Sequence, residues 1–535
     1  MRFAVLSDTH YISKKAMYGE GGERDLLRRA INISVMEDLA GRTDIDTVLI
    51  TGDLTDAGDL ESHREFAELL RGLKQSGKNV YVLTATHDFH FSRAYVTVHG
   101  WPVKYRERPW ERPWFDRTKA EYKKLVTEEF SSLSEADCAP GILPVAFPDD
   151  LWEIYREFGR DQAFSVCDSA YSYVVKLDEK LWCLMLNNNF RDIDANYDFS
   201  PTYSPACFRW MEGLVRQAKA EGALLFACTH HPLVPPVPAY KIGGTRRNMR
   251  GPTVCHTLAD IGIPLVFSGH THFSNVVFGQ SENGNLLCNV TTPSISFLPP
   301  AWRLVDLEPQ TCRLKLTTVP SAPPKDLPVK EATLREHFVR EFLEDERRSF
   351  ENLPHGLGKA VLGVELKHLY PLAKGAAKLT PAEYEKIKSK KLFDLIMDLA
   401  VNMQTGDGKY TPDTPEYKYM MGLSAALDSV VRAQPFYPVE KKLEGYTISQ
   451  IVEPMLCKKG VPDNDAEFCF DQLPVTFDGS AAYTSHVGEI LMLILSAAAA
   501  LLSPCAPVLS ALAIPAMTLL KKKKLERRPY APEQY

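Results

Sequence analysis

The chain has 535 residues, which is too long for one simple hydrophobic core and predicts two or more domains. Hydrophobic residues make up 45% and charged residues 24% of the sequence, which excludes a disordered or fibrous protein. The formal net charge of −6 argues against general nucleic-acid binding by the whole chain.

The cysteines and the N-terminus indicate a reducing compartment. Eleven cysteines stand singly between Cys138 and Cys505 without a CxxC pair, so we expect reduced thiols rather than disulfides or a structural zinc site. The chain enters an apolar run at residues 2–6 without the basic start and long apolar core of a secretory signal. We therefore expect this part of the protein to stay in the cytoplasm.

The first 320 residues alternate short β-rich runs with helical patterns, which predicts βα units around a substantially parallel sheet. After them, residues 275–319 alternate like antiparallel strands, with Asn283-Gly284 as a hairpin turn. The predicted strands are 3–6, 47–51, 80–84, 171–175, 181–186, 224–228 and 264–268, and the predicted helices are 23–39, 60–74 and 205–220.

Two segments interrupt this alternation. Residues 91–167 are too long for a βα connection and predict an inserted cap beside the sheet, rich in tryptophan and arginine. The cap is either a packed satellite cluster or a substrate rim or partner surface. A second segment, 233–250, carries Arg246, Arg247 and Arg250, which either are solvated or reach a substrate phosphate.

A proline-rich linker at 320–325 separates this region from a helical one. We predict an α-helical accessory domain over 326–480, with helices near 331–352, 381–401 and 415–433. Its sequence shows no metal-like or nucleophile-like cluster.

The C-terminal tail is apolar and then basic. Residues 490–520 are almost wholly apolar, and 31 residues at ~1.5 Å each could span a bilayer of roughly 30 Å. Three prolines interrupt the run, so a hairpin or re-entrant turn competes with a single span, and a buried helical pair is the alternative to both. We predict a membrane-associated segment over 488–520 and a basic tail over 521–535.

Residue types that bind metals follow five of the predicted strands. His270 and His272 lie two apart after strand 264–268, so their side chains point to the same side. Gly269 permits a sharp turn, so both imidazoles can converge on one point. The carboxyl ends of parallel strands meet at one edge of a sheet, where we expect the remaining strand-end residues as well. These are Asp8, His10, Asp53, Thr86, His87, Asp88, His230 and His231.

Taken singly, each of these residues has a simpler explanation. Asp8 could cap a loop, Asp53 could lie in a turn, and His230 could be a hydrogen-bonded core histidine. Together they combine carboxylates with imidazoles and lack thiolates, which suits zinc, iron, manganese or cobalt. The set exceeds what one tetrahedral ion needs and suits two ions that share a carboxylate. Such a pair can hold a bridging hydroxide and bind substrate oxygens, which fits in-line attack on phosphorus.

The motifs that carry this chemistry resemble those of the calcineurin-like metallophosphoesterase family, in the same order and over about residues 1–320. The resemblance implies an α/β fold of the four-layer αββα sandwich type. It also implies a binuclear metal-dependent phosphoesterase that uses Mn, Fe or Zn. The motifs are Asp8-Thr9-His10, Gly52-Asp53, Thr86-His87-Asp88, His230-His231-Pro232 and Gly269-His270-Thr271-His272.

The same resemblance implies the role of each ligand. Asp8, His10 and His272 would hold the first metal. Asp53 would bridge both ions, with His230 and His270 at the second. His230 is preferred to its neighbour because the family's ligand usually lies two residues before the proline.

The third motif also contains the catalytic candidates. By the resemblance, His87 would position or protonate a phosphate oxygen, and Asp88 would orient His87. The family has GNHD or GNHE here, and its asparagine carbonyl ligates the second metal. Because Thr86 stands in its place, it either ligates weakly, acts through water or leaves the second site loosely held, and we predict weaker binding of the second ion.

These observations predict a hydrolase of a phosphodiester or phosphomonoester, on a small-molecule or, if the tail binds membrane, a lipid-linked substrate. The alternative is a membrane-tethered scaffold whose phosphoesterase domain has weakened or lost its activity. A nuclease is disfavoured, because the chain lacks a continuous basic, aromatic groove.

Overall fold

The fold is described from a computed structural model of the chain. Two mixed sheets pack face to face near the N-terminus, and a cluster of helices follows them. The structure describes residues 1–16, 22–56, 58–89, 95–98, 101–104, 146, 148–188, 203–236, 254–325, 329–351, 362–431, 446–457 and 460–472.

The first sheet has six strands in the order β15-β14-β13-β1-β2-β3. Strands β1, β2 and β3, which form one end of this sheet, run parallel, as the sequence predicts, whereas β13, β14 and β15 are antiparallel to their neighbours. The strands are β1 (Arg2–Leu6), β2 (Thr47–Ile50), β3 (Asn79–Val82), β13 (Ala301–Glu308), β14 (Arg313–Pro320) and β15 (Ala466–Cys469).

The second sheet has seven strands in the order β11-β12-β10-β9-β8-β7-β6. Strands β8, β9, β10 and β12 are parallel, and the predicted hairpin turn at Asn283-Gly284 joins the antiparallel pair β11 and β12. The strands are β6 (Ser165–Cys167), β7 (Ser172–Asp178), β8 (Leu181–Leu186), β9 (Leu224–Thr229), β10 (Leu265–Ser268), β11 (Asn275–Gln280) and β12 (Leu286–Thr291).

Alternation of side chains along β1 explains the layers. Phe3 and Val5 point into the core between the sheets, where Phe226 and Phe267 meet them. Ala4 and Leu6 point the other way, into a core shared with the first-sheet helices. The outer helices are α1 (Gly22–Gly41), α2 (Leu60–Gln75) and α3 (Pro148–Ile154) on the first sheet, and α4 (Pro205–Glu221) and α5 (Val254–Ile261) on the second.

This arrangement is the predicted four-layer αββα sandwich. The expectation of βα units around a substantially parallel sheet needs one correction, because the parallel strands divide between two mixed sheets. Both sheets nevertheless contribute parallel strands to the sandwich, and the candidate residues follow those strands.

The C-terminal helical region is present and has its own apolar core. The predicted helix 381–401 is two helices, and α7 and α11, each with an internal proline, were not predicted. The helices are α6 (Leu334–Glu351), α7 (Leu366–Ala377), α8 (Pro381–Ile387), α9 (Leu392–Thr405), α10 (Pro415–Val431) and α11 (Ile448–Leu456).

One strand within residues 326–480 was also not predicted. β15 pairs antiparallel with β14, with Phe468 opposite Leu314 and Ala466 opposite Leu316. The chain therefore returns from the helical region to complete the first sheet of the sandwich.

Several predictions fall on residues outside the described part of the chain. Within the inserted segment, the structure describes the hairpin of β4 (Tyr95–Val98) and β5 (Trp101–Lys104), α3 and β6, but not residues 105–145. The arginine loop at 246–250, the apolar segment at 488–520 and the basic tail at 521–535 lie outside it as well. None of the helices in the described ranges is both long and apolar enough to span a bilayer.

Candidate metal centre

The candidate residues lie in loops that follow the parallel strands of both sheets. Loops after β1, β2 and β3 contribute from the first sheet, and loops after β9 and β10 from the second. Backbone hydrogen bonds join these loops, from Asp8 N to Gly52 O at 3.0 Å and from Gly269 N to His230 O at 2.8 Å. The packing of the two sheets therefore brings strand ends from distant parts of the sequence together.

The backbone of these loops is strained. Nine described residues other than glycine have a positive φ, and five of them are candidate ligands. Each such backbone conformation reduces the free energy of unfolding by about 1–3 kcal/mol and persists where surrounding contacts fix it. The concentration of strain points to this edge of the sandwich as a functional site. The five ligands are Asp8 (49°), His10 (44°), Asp53 (50°), His270 (68°) and His272 (59°).

Gly269 allows close approach of the two sheets rather than a left-handed turn. A Cβ atom at this position would lie 1.7 Å from Ser7 Oγ and 2.5 Å from Asp8 Oδ2. The absence of a side chain lets the loop after β10 lie against the loop after β1. The next backbone amide, His270 N, then donates to Asp8 Oδ2 at 2.9 Å.

The first group of converging ligand atoms consists of Asp8, His10 and His272. Asp8 Oδ1 lies 3.3 Å from His272 Nε2 and 3.8 Å from His10 Nε2. The two imidazole Nε2 atoms are 3.2 Å apart. Ligand atoms on one tetrahedral ion with bonds near 2.0–2.1 Å are about 3.3 Å apart, so these separations suit a single ion.

The second group consists of Asp53, His230 and His270, whose ligand atoms lie within 4.8 Å of one another. Asp53 Oδ2 is 3.0 Å from His230 Nε2 and 4.0 Å from His10 Nε2 of the first group. Asp53 therefore lies between the groups, which is the location required of a carboxylate shared by two ions.

The tautomer of His230 supports a metal ligand. Its Nδ1–H donates to the backbone oxygen of Thr51 at 3.0 Å, which leaves Nε2 as the ring atom that faces Asp53. In the metal-free protein the raised pKa of His230 puts a proton on this buried Nε2, which faces Asp53 Oδ2. An imidazole lone pair and a carboxylate oxygen 3.0 Å apart repel each other unless a proton or a metal ion lies near both. Backbone-fixed histidines of this kind are typical of metal sites.

Buried negative charge is the main electrostatic feature of the centre. Asp8 and Asp53 are almost fully buried, and burial alone would raise both pKa values. The neighbouring histidines outweigh this effect and hold the pKa of each carboxyl well below its usual range. In return, Asp56, together with Asp8 and Asp53, outweighs burial and raises the pKa of His10 to about 10. Asp53, together with Asp8, raises the pKa of His230 to about 9. The site thus keeps two ionised carboxylates that require compensating positive charge.

Thr86 contacts the carboxylate of Asp53. Its hydroxyl donates to Asp53 Oδ1 at 3.3 Å, and the adjacent His87 N donates to the same atom at 2.8 Å. The Oδ2 atom of Asp53 is the one that faces His230. In the structure, the third motif therefore orients Asp53.

The expected role of Asp88 differs from its contacts. The imidazole of His87 donates through Nδ1 to the backbone oxygen of Asp56 at 2.8 Å. The Asp88 carboxylate instead accepts from the backbone amides of Thr55, at 2.9 Å, and Ala85, at 2.7 Å. Asp88 therefore joins the loops after β2 and β3, and the expectation that it orients the His87 ring is corrected. The sequence could not distinguish these roles, because both place Asp88 beside His87.

The structure places His231 outside the three groups of converging ligand atoms, the third of which is His10, Asp56 and His87. Its Nδ1–H donates to Asn188 Oδ1 at 3.0 Å, although its ring centroid lies 4.2 Å from that of His270. The choice of His230 as the candidate ligand therefore agrees with the geometry.

Three nearby residues were not identified from the sequence. Asp56 Oδ1 lies 3.5 Å from His10 Nδ1, and Phe297 has its ring centroid 4.9 Å from those of both His10 and His272. The guanidinium of Arg28 lies 4.0 Å above the Phe297 ring. Asp56 could have been found from its place in the run after β2, whereas Phe297 and Arg28 carry no local signal.

Comparison with known proteins identifies one family. The family described as calcineurin-like phosphoesterase matches residues 1–274. No curated protein matches the chain by sequence.

Several solved structures are similar to part of the chain at low identity. A dimetal phosphatase from Danio rerio is 12% identical, with a TM-score of 0.32, and the match covers 60% of this chain and 96% of that one. A purple acid phosphatase from yellow lupin seeds is 13% identical (TM-score 0.31), covering 61% and 52%. A putative 5′-nucleotidase from Staphylococcus aureus is 11% identical (TM-score 0.31), covering 64% and 58%.

Proposed function

The chain belongs to the calcineurin-like phosphoesterase family, and on that premise we propose that it is a binuclear metal-dependent hydrolase of phosphate esters. The observation that carries the proposal is the presence of two adjacent Asp/His groups with Asp53 between them. Asp8, His10 and His272 would hold the first divalent ion. His230 and His270 would hold the second, and Asp53 would contact both.

Bound metal ions would supply an activated water nucleophile and would withdraw charge from the phosphoryl oxygens. The residues of this chain fix where that chemistry takes place. The Thr51 carbonyl sets the tautomer of His230, and the amide of His87 fixes the rotation of the Asp53 carboxylate. The mechanism therefore depends on backbone atoms of these loops, which orient the ligands, as well as on the ligand side chains.

We assign His87 the role of contacting a phosphate oxygen of the substrate. Its Nδ1 donates to the Asp56 carbonyl at 2.8 Å, so Nε2 is the ring atom that would contact a phosphate oxygen. Burial lowers the pKa of His87, so in the metal-free protein the ring is neutral near pH 7. In this state Nδ1 carries the proton. A role as proton donor at Nε2 therefore requires a substrate whose negative charge favours the imidazolium form.

The substrate is expected to be a small phosphate ester. A screen of the full chain with Mn(II), Fe(II) and Zn(II) against phosphomonoesters, phosphodiesters and cyclic nucleotides would define its class. The full chain is required because β15, from the C-terminal part, completes the first sheet. Metal binding without turnover of any substrate would instead favour the alternative of a binding protein with a weakened hydrolase domain.

The mechanistic test is Asp53→Asn. Because the change removes the shared negative charge, we expect Mn-supported cleavage of a nitrophenyl phosphodiester or monoester to fall by at least about 100-fold, or about 2.7 kcal/mol of transition-state stabilisation. Asp59→Asn is the matched control, since Asp59 is also buried but caps α2 by accepting from Ser62 N at 2.7 Å. Unchanged turnover in Asp53→Asn would refute the assigned mechanism.

A further inference from the structure

The loop that carries His272 continues into a set of contacts with the C-terminal part of the chain. We propose that Asp463 and Asn464, which precede β15, are positioning residues that hold the His272 loop in its metal-binding conformation. The inference rests on the proposed metal-dependent function. It adds a role for a segment almost 200 residues away from the family motifs in sequence.

Asn464 is the central residue of these contacts. Its Oδ1 accepts from the Ser274 hydroxyl, and from the Thr318 hydroxyl at 2.8 Å. The buried guanidinium of Arg303 donates to the same oxygen at 3.3 Å. On the other side, Nδ2 donates to the Thr405 backbone oxygen at 2.7 Å. One amide therefore joins the ligand loop, the first sheet and the end of α9.

Asp463 fixes the residues that follow the loop. Its Oδ1 accepts from the backbone amide of Val276 at 2.7 Å and from Asn275 Nδ2 at 3.1 Å. Asp463 and Asn275 are both buried, so these bonds are shielded from water. The start of β11 is thereby held four residues beyond His272.

The end of α9 completes the enclosure of Ser274. The Ser274 amide donates to the backbone oxygen of Gln404 at 2.8 Å. Ser274 is fully buried and lies two residues after His272. Both its amide and its hydroxyl are thus bound by the C-terminal part of the chain.

His272 needs such support because its own backbone is strained, with φ at 59°. On the N-terminal side of the loop, His270 N is held by Asp8. On the C-terminal side, β11 is paired with β12 from Asn275 onward, and the bonds to Ser274, two residues beyond His272, come from residues 404 and 464. Loss of these bonds weakens the hold on the backbone between His272 and β11.

The expected consequence is selective for the first ion. Loss of groups that orient a metal ligand typically costs 10–100-fold in metal affinity. Asp53 and His230 belong to loops after β2 and β9 and have other backbone partners. The affinity of the first ion should therefore fall more than that of the second.

The test uses the full chain and Co(II) alone, titrated by calorimetry and by visible absorption. His272→Ala identifies the signal of the first ion. Asp463→Ala and Asn464→Ala are each expected to weaken that ion at least tenfold, and Asp463→Asn, which keeps the Oδ1 acceptor, is expected to recover most of the affinity. Thermal unfolding of each variant verifies that the protein remains folded.

The matched control is Asp428→Ala, which also removes a carboxylate that accepts backbone amides, in this case those of Ile448 and Ser449 at the start of α11. It is expected to reduce stability without changing Co(II) affinity. Wild-type affinity in both Asp463→Ala and Asn464→Ala, or an equal loss in Asp428→Ala, would overturn the inference and leave the proposed function intact. Absence of Co(II) binding by the wild-type protein would overturn the proposed function itself and this inference with it.

Discussion

At the scale of single residues, Thr86 is the position where the centre departs from its family motif. Its hydroxyl donates to Asp53 at 3.3 Å and offers a weaker metal ligand than an amide carbonyl. We therefore expect the second ion to bind more weakly than the first, and Thr86→Asn to tighten it about tenfold, or about 1.4 kcal/mol. Titration with Mn(II) and metal analysis of the purified protein measure both affinities.

A neighbouring threonine provides the control for this substitution. Thr84 Oγ1 accepts from Asn187 Nδ2 at 3.2 Å, so Thr84→Asn makes the same change in the same loop without altering a contact of Asp53. Two equally tight ions in the wild-type protein would show that Thr86 does not weaken the second site.

His63 supplies a pH-dependent contribution to stability. The ring is fully buried, with Nδ1 2.8 Å from Tyr155 Oη and Nε2 2.8 Å from Asp88 O, and burial lowers its pKa to about 3. The unfolded chain has a histidine pKa of about 6.5. Above that pH both states are neutral and the contribution is complete, whereas below it only the unfolded state takes up the proton. The free energy of unfolding should therefore fall by about 2 kcal/mol between pH 7 and pH 5 through this residue.

The variant His63→Gln tests this contribution, because glutamine keeps a hydrogen-bond donor and does not titrate. Urea unfolding at pH 7 and pH 5 should show a smaller loss in the variant than in the wild-type protein. An equal loss in both proteins would assign the acid sensitivity to other groups.

The candidate ligands could be predicted from the sequence because two local signals coincide. Each follows an apolar run, and each apart from Thr86 is an aspartate or histidine. Residues such as Phe297 could not be predicted, because its contact with His10 and His272 depends on the path of a loop between β12 and β13 that has no periodic pattern. Positions set by tertiary packing are the ones that sequence patterns leave open.

At the scale of secondary-structure elements, the end of α9 lies close to the ligand loop. Gly406 ends this helix with φ at 69°, and a Cβ there would lie 2.6 Å from the Ser274 backbone oxygen and from Asp463 Cβ. We expect Gly406→Ala to cost more stability than the ~1 kcal/mol of a left-handed alanine, because the backbone oxygen cannot move away alone. Chemical denaturation measures the loss.

Gly222 gives a matched comparison for this helix end. It ends α4 in the same left-handed conformation, with φ at 64°, but a Cβ there has its nearest neighbour, Lys180 Nζ, at 3.7 Å. Gly222→Ala should therefore reduce the free energy of unfolding only by the ~1 kcal/mol of a left-handed alanine. Equal losses of stability in the two variants would show that the ligand loop can move away from a Cβ atom at position 406 at little cost.

Elements with strong apolar runs were predicted well, and elements without such a run, or defined by which strands pair, were not. β1, β2 and α2 match the predicted positions to within about a residue, because burial makes their patterns clear. The division of the strands into two sheets depends on which strands pair, and the alternation of strands and helices does not encode this. α11 contains Pro454, and β15 (Ala-Glu-Phe-Cys) is not a continuous apolar run as β2 (Thr-Val-Leu-Ile) nearly is, so neither presents a pattern that local rules recognise.

At the scale of the whole molecule, the sandwich and the helical region share structure. Leu334 and Phe338 of α6 are buried in the core of the first sheet and its helices. Arg24 of α1 forms a bidentate pair with Asp345 of α6, at 2.9 and 3.1 Å, although both side chains are partly exposed and contribute little on their own. Together with β15, these contacts favour unfolding of the two regions as one unit.

Because the two regions share structure, metal binding should stabilise both of them. An ion that binds only the folded state adds about 2.7 kcal/mol to the free energy of unfolding when its concentration is 100 times its dissociation constant. The contacts of Asp463 and Asn464 join the ligand loop to α9. We therefore expect calorimetry to show a single unfolding transition that includes the helical region, and saturation with Mn(II) to raise its midpoint temperature. Asp8→Asn should remove most of this increase, since Asp8 lies in the first group of ligands. Two separate transitions, of which only one moves with Mn(II), would show that the helical region unfolds independently of the metal centre.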